Sequence, residues 1–352
     1  MTELKAQPIH PVSPPSPAPE PTPTPLGGTL SDARAVAESI RSRVADSVIG
    51  RDDVIEFVLV ALFSNGHILL EDYPGSGKTM LAKALGNAIA SDSQATDKLP
   101  AFRRVQFTPD LLPSDVTGTM VFDAETSAFH FRRGPVFAHV LLVDEVNRTS
   151  PKVQSALLEA MAEAQVTVDN TSYPLDDLFF VIATQNPLDL IGTYPLPVAQ
   201  LDRFLFKIRM EHIDRDSELA VLERWGSPQP PRAISQPVTR TQVVQARQAV
   251  QRDVAVADAV RACLVDIARN LRSEKRVTQG VSTRSLVLAI PALQTLAMLR
   301  GRDYVSAEDI IHLAMPIFGH RIELIPGADD AATVVSEALK GPIDALSRGT
   351  LR

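Results

Sequence analysis

A single cysteine, Cys263, stands in 352 residues, so no internal disulfide can form. It lies in an apolar helical stretch at 260–267, which marks it as a small buried hydrophobe rather than a nucleophile. Basic charge is also short. Lys and Arg number 35 against 42 Asp and Glu, a net −7, which argues against holding nucleic acid through one broad basic face. The paired basics Arg103-Arg104 and Arg132-Arg133 read as solvated surface. No apolar run reaches the ~18 residues of a spanning helix, so no membrane span is expected. The opening residues MTELKAQPIHPV carry no apolar segment of the signal-peptide kind, and a soluble, cytoplasmic protein is expected. None of the seven histidines stands at metal-ligand spacing such as H-x-x-x-H.

What the chain has first is proline. Nine of its first 25 residues are proline, and such a stretch lacks both backbone donors and apolar side chains. Residues 1–29 therefore read as a disordered tether, with a ligand for a proline-recognising partner as the alternative. From 30 to 212, short apolar strands alternate with amphipathic helices. Strands are expected at 67–71, 105–107, 140–143, 179–184 and 204–210, and helices at 78–90 and 151–164. That alternation predicts an α/β fold, a three-layer αβα arrangement around a parallel sheet. Two hairpins interrupt it, at 120–131 with the polar turn DAETS and at 165–175 with Asp169-Asn170 at the tip. Residues 213–237, ending in GSPQPPRAISQP, read as a linker. Beyond it, 238–345 reads as an all-α domain, with Ser306 and Asp309 as a reciprocal helix cap and Pro291 kinking or splitting its helix near Ile290.

The strongest chemical signal is Pro74-Gly75-Ser76-Gly77-Lys78-Thr79, between an apolar strand and a helix. Glycines let the backbone approach a phosphate closely enough to offer its N–H groups. Lys78 can reach the outer phosphates, and the Thr79 hydroxyl can ligate Mg²⁺. Asp72 stands where the first glycine of G-x-x-x-x-G-K-[ST] belongs, at the strand end and away from the phosphate. A second strand, Val140-Leu141-Leu142-Val143, ends in Asp144-Glu145. Asp144 is expected beside Mg²⁺, through water, and Glu145 facing the attacking water. A third ends in Ala183-Thr184-Gln185-Asn186-Pro187, where the Asn186 amide can orient that water; a simple turn former is the alternative.

Together, LLEDYPGSGKT, LLVDEVNRTSPKVQSALLEAMAEAQVTV, FFVIATQNP and GTYPLPVAQLDRFLFK resemble the MoxR branch of the AAA+ ATPases over roughly residues 31–325. The resemblance implies an AAA+ P-loop core followed by a helical lid, with ATP and Mg²⁺ as cofactors. It implies that Lys78 and Thr79 are the P-loop pair, Asp144 and Glu145 the second acidic motif, and Asn186 the first sensor. Pro74, Gly75, Ser76, Gly77 and Met80 complete the nucleotide contact, and Val48-Ile49-Gly50 lies near the adenine. Arg203 corresponds to an arginine finger that completes a neighbouring subunit's site, and Arg284 to the second sensor in the lid. A local ion pair with Asp202 is the alternative for Arg203, and a solvated helix start the alternative for Arg284. Val198 departs from the acidic residue usual before AQLDRF, which puts a salt bridge from that position in doubt.

The resemblance further implies a homo-oligomeric ring, a hexamer, remodelling a protein client, with von Willebrand factor A domain proteins as frequent partners. Competing readings are a metal-chelatase motor subunit, a DNA-directed motor and a nucleotide-binding scaffold without turnover. Asp115-Val116-Thr117-Gly118 mimics a motif of GTP-binding switches, but no N-K-x-D base reader follows it.

Overall fold

The computed structural model describes residues 28–71, 76–90, 92, 99–186, 192–226, 237–328 and 330–350. Two helices, α1 (Leu30–Ala45) and α2 (Asp52–Phe63), precede β1 (Ile68–Glu71) and α3 (Lys78–Ala88). The chain continues through β2 (Ile89–Ala90), β3 (Phe102–Gln106) and the short α4 (Pro113–Thr117) into a hairpin, β4 (Gly118–Asp123) and β5 (Ala128–Arg133). Next come β6 (Val140–Asp144), α5 (Pro151–Glu163), a second hairpin of β7 (Gln165–Val168) and β8 (Thr171–Pro174), and β9 (Phe180–Gln185). The unit closes with α6 (Val198–Leu201), β10 (Phe206–Arg209) and α7 (Arg215–Gly226).

Five of these strands form one parallel sheet in the order β10-β1-β9-β6-β3. The alternation of side chains along each strand explains why both faces must be covered. Ile68, Leu70, Leu142 and Ile182 enter the apolar cluster that includes α1, α2 and α3, whereas Leu69, Leu141, Val143 and Val181 enter the cluster built on α5. All eight are fully buried, so the strands read as continuous apolar runs.

Thr29 caps α1 by accepting from the Asp32 N–H at 3.1 Å, so the folded body begins within the segment expected to be tail. The edge strand β3 starts at Phe102, earlier than expected, because its parallel pairing with β6 aligns Arg104 with Leu142 and Gln106 with Asp144. The second hairpin turns through Asp169 and Asn170, both at positive φ as a two-residue primed turn requires.

The C-terminal unit consists of β11 (Val238–Thr239), α8 (Arg240–Asp253), α9 (Asp258–Ser273), β12 (Val277–Gln279), α10 (Thr283–Leu299), α11 (Ala307–Phe318), β13 (Glu323–Leu324) and α12 (Ala331–Thr350). It is helical, with short strand pairings that periodicity does not signal: β12 runs antiparallel to β13, and β11 joins β2. The helix α10 continues through Pro291 instead of splitting there, flanked by buried Ala289, Ala292, Leu293 and Leu296. Ser306 donates from N and Oγ to Asp309 Oδ2 at 2.8 and 3.1 Å, as its spacing predicts. Cys263 is buried, and burial pushes its thiol up to about 11, which fits a packing role. Among the described residues no helix is long and apolar enough to cross a membrane.

His67 at the start of the sheet provides a pH-dependent element. Its Nδ1 accepts from the Val181 N–H at 3.1 Å, and Nε2 faces the Met161 carbonyl at 3.4 Å. Burial pulls its pKa down to about 4 from the ordinary 6.5. The unfolded chain therefore takes up a proton first, below 6.5. Stability contributed by neutral His67 is complete above that pH and declines as pH falls toward 4, by about 3 kcal/mol in total. Denaturant unfolding between pH 7 and 4 should show a shallower pH slope for His67→Asn than for wild type. Identical slopes would place the protonation elsewhere.

Candidate nucleotide site

The carboxyl ends of β1, β9 and β6 lie side by side, and each delivers one chemical group to the same edge of the sheet. Glu71 ends β1, and its Oε1 accepts from Gln185 Nε2 and Lys207 Nζ, both at 2.7 Å, which fixes where the chain leaves the sheet. Asp72, Pro74 and Gly75 lie outside the described residues. Gly77 precedes α3 with φ +93°, a left-handed conformation that favours glycine, and no atom stands within 4 Å of a would-be Cβ. Its role is therefore conformational. Lys78 and Thr79 open α3, so its first N–H groups, which have no intrahelical acceptor, face the region beyond the sheet.

Asp144 ends β6 and is almost wholly buried. Its Oδ2 accepts from Arg104 Nε at 2.6 Å, and its Oδ1 from the Thr184 hydroxyl at 3.4 Å. The Arg103-Arg104 pair is thus not simply solvated surface. The β3 register carries Arg104 to the buried carboxylate, and only a tertiary pairing reveals it. Glu145 has φ +57° and ψ +52°, a left-handed conformation uncommon for any residue but glycine and held here by its N–H donating to Thr184 Oγ1 at 3.0 Å. Its Oε2 accepts from Gln106 Nε2 at 2.7 Å and pairs with Arg148 Nε at 3.1 Å. Arg104, Gln106, Arg148 and Thr184 escaped the sequence reading. The i, i+2 placement of Arg104 and Gln106 on one edge strand is the signal that could have found two of them. Asn186 directly follows β9, level with Glu71 and Gln185 at the sheet edge.

A cavity of about 670 Å³ opens beside Ser76 and Gly77, a size suited to a small organic ligand. Val48, Ile49 and Met80 line it, as do His212, Val221 and Leu222 from the far side. Met80 and Leu222 are 57% and 69% exposed, large apolar groups facing an open cleft. The helix α7 occupies much of the stretch read as linker, and it forms one wall. Gly50 does not line the cavity. A Cβ on it would stand 2.5 Å from Ser217 Cβ, so its bare backbone, at φ +71°, lets α7 close against 48–50.

Arg203 and Arg284 are not among the cavity-lining residues. Arg203 is half-buried, reaches only the Ala199 carbonyl at 3.4 Å, and its Nε has no hydrogen-bond partner among the described residues. The alternative of an Arg203–Asp202 ion pair is not what forms. Asp202 Oδ1 instead accepts from Arg321 Nε at 2.7 Å. Arg284 is exposed at the second position of α10. The switch-like Asp115 receives the Leu112 N–H at 2.8 Å and caps α4 at the base of the first hairpin.

A parallel sheet whose carboxyl edge gathers a glycine-opened helix, an acidic pair and a polar strand end defines a P-loop nucleotide-binding protein. Comparison with known proteins narrows this. Residues 67–206 match the model of the ATPase family associated with various cellular activities (AAA), and residues 269–338 match an AAA lid domain. The chain is 35% identical to chaperone MoxR1 of Mycobacterium tuberculosis over 88% of its own length and 81% of that protein. It is 42% identical to the uncharacterised protein YeaC of Bacillus subtilis, over 87% of this chain and 93% of the other. A crystal structure from Cytophaga hutchinsonii, of a protein assigned as an ATPase, superposes with a TM-score of 0.79 at 34% identity, covering 88% of this chain and 95% of that one. The chain belongs to the MoxR family of AAA+ ATPases.

Proposed function

We propose that this protein binds ATP with Mg²⁺, hydrolyses it, and uses the cycle within an oligomeric ring to remodel a protein client. The observation that supports the reading is that Asn186 and Asp144-Glu145 stand at the carboxyl ends of β9 and β6, the next two strands beside β1, which leads to Lys78-Thr79 at the head of α3, and that Ser76 and Gly77 before that helix line the 670 Å³ cavity. Adenine fits between Met80 and the apolar side chains of α7, and the phosphates then extend over Ser76 and Gly77 to the start of α3. Lys78 and the helix N–H groups hold the phosphate oxygens. The hydroxyl of Thr79 and the carboxylate of Asp144 are hard oxygen donors of the kind Mg²⁺ takes, the second through water and after Arg104 yields its hydrogen bond. When bound, the ion neutralises phosphate charge. Glu145 polarises the attacking water, and Asn186 orients it without competing for its proton. A protein client, with von Willebrand factor A domain proteins among its partners, is favoured over nucleic acid by the net charge of −7.

Lys78→Ala tests the core of this reading, because it removes the lysine at the head of α3. Titration calorimetry with Mg²⁺ should show ATP affinity falling 10-fold or more, about 1.5–3 kcal/mol. Near-wild-type affinity would mean that the phosphates lie elsewhere.

A further inference from the structure

The turn that carries Arg203 is fastened to the C-terminal helical unit through one carboxylate. Asp202 accepts Ser285 Oγ on Oδ1 at 3.0 Å and Ser282 Oγ on Oδ2 at 2.9 Å, in addition to Arg321 on Oδ1. Ser282 is the N-cap of α10, its Oγ also accepting the Ser285 N–H at 3.2 Å, and Arg284 lies between the two serines. Arg321 follows α11 and is 2% exposed. Its remaining donors reach the carbonyls of Asp202 at 3.3 Å, Phe204 at 2.6 Å and Leu205 at 3.0 Å, and that of Ile317 in α11. His320 Nε2 adds a contact to the Phe204 carbonyl at 3.2 Å. The backbone on both sides of Arg203 is therefore held by the helical unit. The Arg203 guanidinium takes no part in that network.

We propose that Asp202 is a positioning residue that couples the Arg284-bearing end of α10 to the presentation of Arg203 toward an adjacent subunit. This rests on the reading of Arg203 as a finger acting across a subunit boundary. A buried guanidinium needs its counter-charge and acceptors, so segment 202–205 and the ends of α10 and α11 move as one body. The cap of α10 and the end of α11 thereby set, through Asp202, where Arg203 is offered to the next subunit. The coupling is mechanical and short: the Asp202 side chain joins the cap of α10 to the backbone that leads into Arg203.

Mixed rings decide whether Asp202 serves the donated finger or its own site. A Lys78→Ala chain donates only the finger, and an Arg203→Ala chain donates only an intact P-loop. Steady-state phosphate release from their mixture sets the reference. Asp202→Asn is then placed in one chain or the other; the amide retains an acceptor oxygen and loses the charge. In the finger-donating chain it should lower the restored kcat about 10-fold with little change in KM for ATP, the signature of a misplaced transition-state group. In the P-loop-donating chain the loss should be several-fold smaller. Ser285→Ala, a milder change in the same network, should show the same asymmetry, and it decides the matter should Asp202→Asn fold poorly. Equal losses in both placements, or a larger loss in the P-loop-donating chain, would overturn the coupling alone. A reference mixture that shows no restoration despite demonstrated subunit exchange would overturn the trans finger, and the coupling with it.

Discussion

Arg203→Ala should bind ATP with near-normal affinity and lose most of its turnover, by a factor on the order of 10³ at most, because the other cations of the proposed site remain. The expectation follows from position. Arg203 is not among the residues that line the cavity beside Ser76 and Gly77, and its Nε has no hydrogen-bond partner among the described residues. An arginine whose neighbours on both sides are anchored by Arg321 is held in place while its own guanidinium makes one long local contact, to the Ala199 carbonyl at 3.4 Å. Its loss should leave ground-state binding alone and weaken only the transition state, where charge spreads over the transferred phosphoryl oxygens. Mixing Arg203→Ala with Lys78→Ala should return part of the activity, since some intact P-loops then meet an intact arginine. Neither variant alone can do so, because each lacks one half of every site. The measurement is phosphate release at fixed total protein across mixing ratios. Activity that never exceeds the weighted sum of the two variants, with exchange demonstrated, would falsify action across a subunit boundary.

Glu145→Gln carries the second large effect and separates binding from chemistry. The amide is nearly isosteric and can still accept from Gln106 through its carbonyl oxygen, losing only the charge pairing with Arg148, so the left-handed turn at 145 and the site around it should persist. What disappears is the group able to take a proton from water. Turnover should fall by about 10² or more while ATP affinity is retained. The ATP-bound assembly should then be long-lived, visible as a larger particle by sedimentation, and client protein should co-purify with it. Turnover within a few-fold of wild type would remove Glu145 from the role of base. A particle size unaffected by ATP would count against the ring.

Much of this site was legible because it is local in sequence. The glycine-rich motif before α3, the apolar strand leading into Asp144-Glu145 and the strand leading into Asn186 each need only a few consecutive residues to be recognised. The hairpin at Asp169-Asn170 is equally local, since two residues at positive φ leave a clear compositional mark. Misread features depend on distant partners. Arg104 looks like a surface arginine until β3 pairs with β6 and sets it 2.6 Å from Asp144. The helix α7 was hidden in a stretch read as linker, because its pattern is weak and its place is set by packing on Gly50. Pro291 suggests a kink or a split in isolation, and α10 continues through it without splitting, flanked by buried side chains.

The sequence by itself determined the αβα core, the helical C-terminal unit and the strand ends that carry the acidic pair and Asn186, because periodicity and loop chemistry are written residue by residue; its motifs, taken in order, carried the resemblance to the MoxR family. Tertiary structure alone decided which polar groups meet: Arg104 with Asp144, Gln106 and Arg148 with Glu145, and Arg321, Ser282 and Ser285 with Asp202. The Asp202 contacts to Ser285 and Arg321 span 83 and 119 residues. A hydrogen bond needs its atoms within about 3 Å of each other, and a chain pattern holds no record of such a distance until the sheet and the helices are in place.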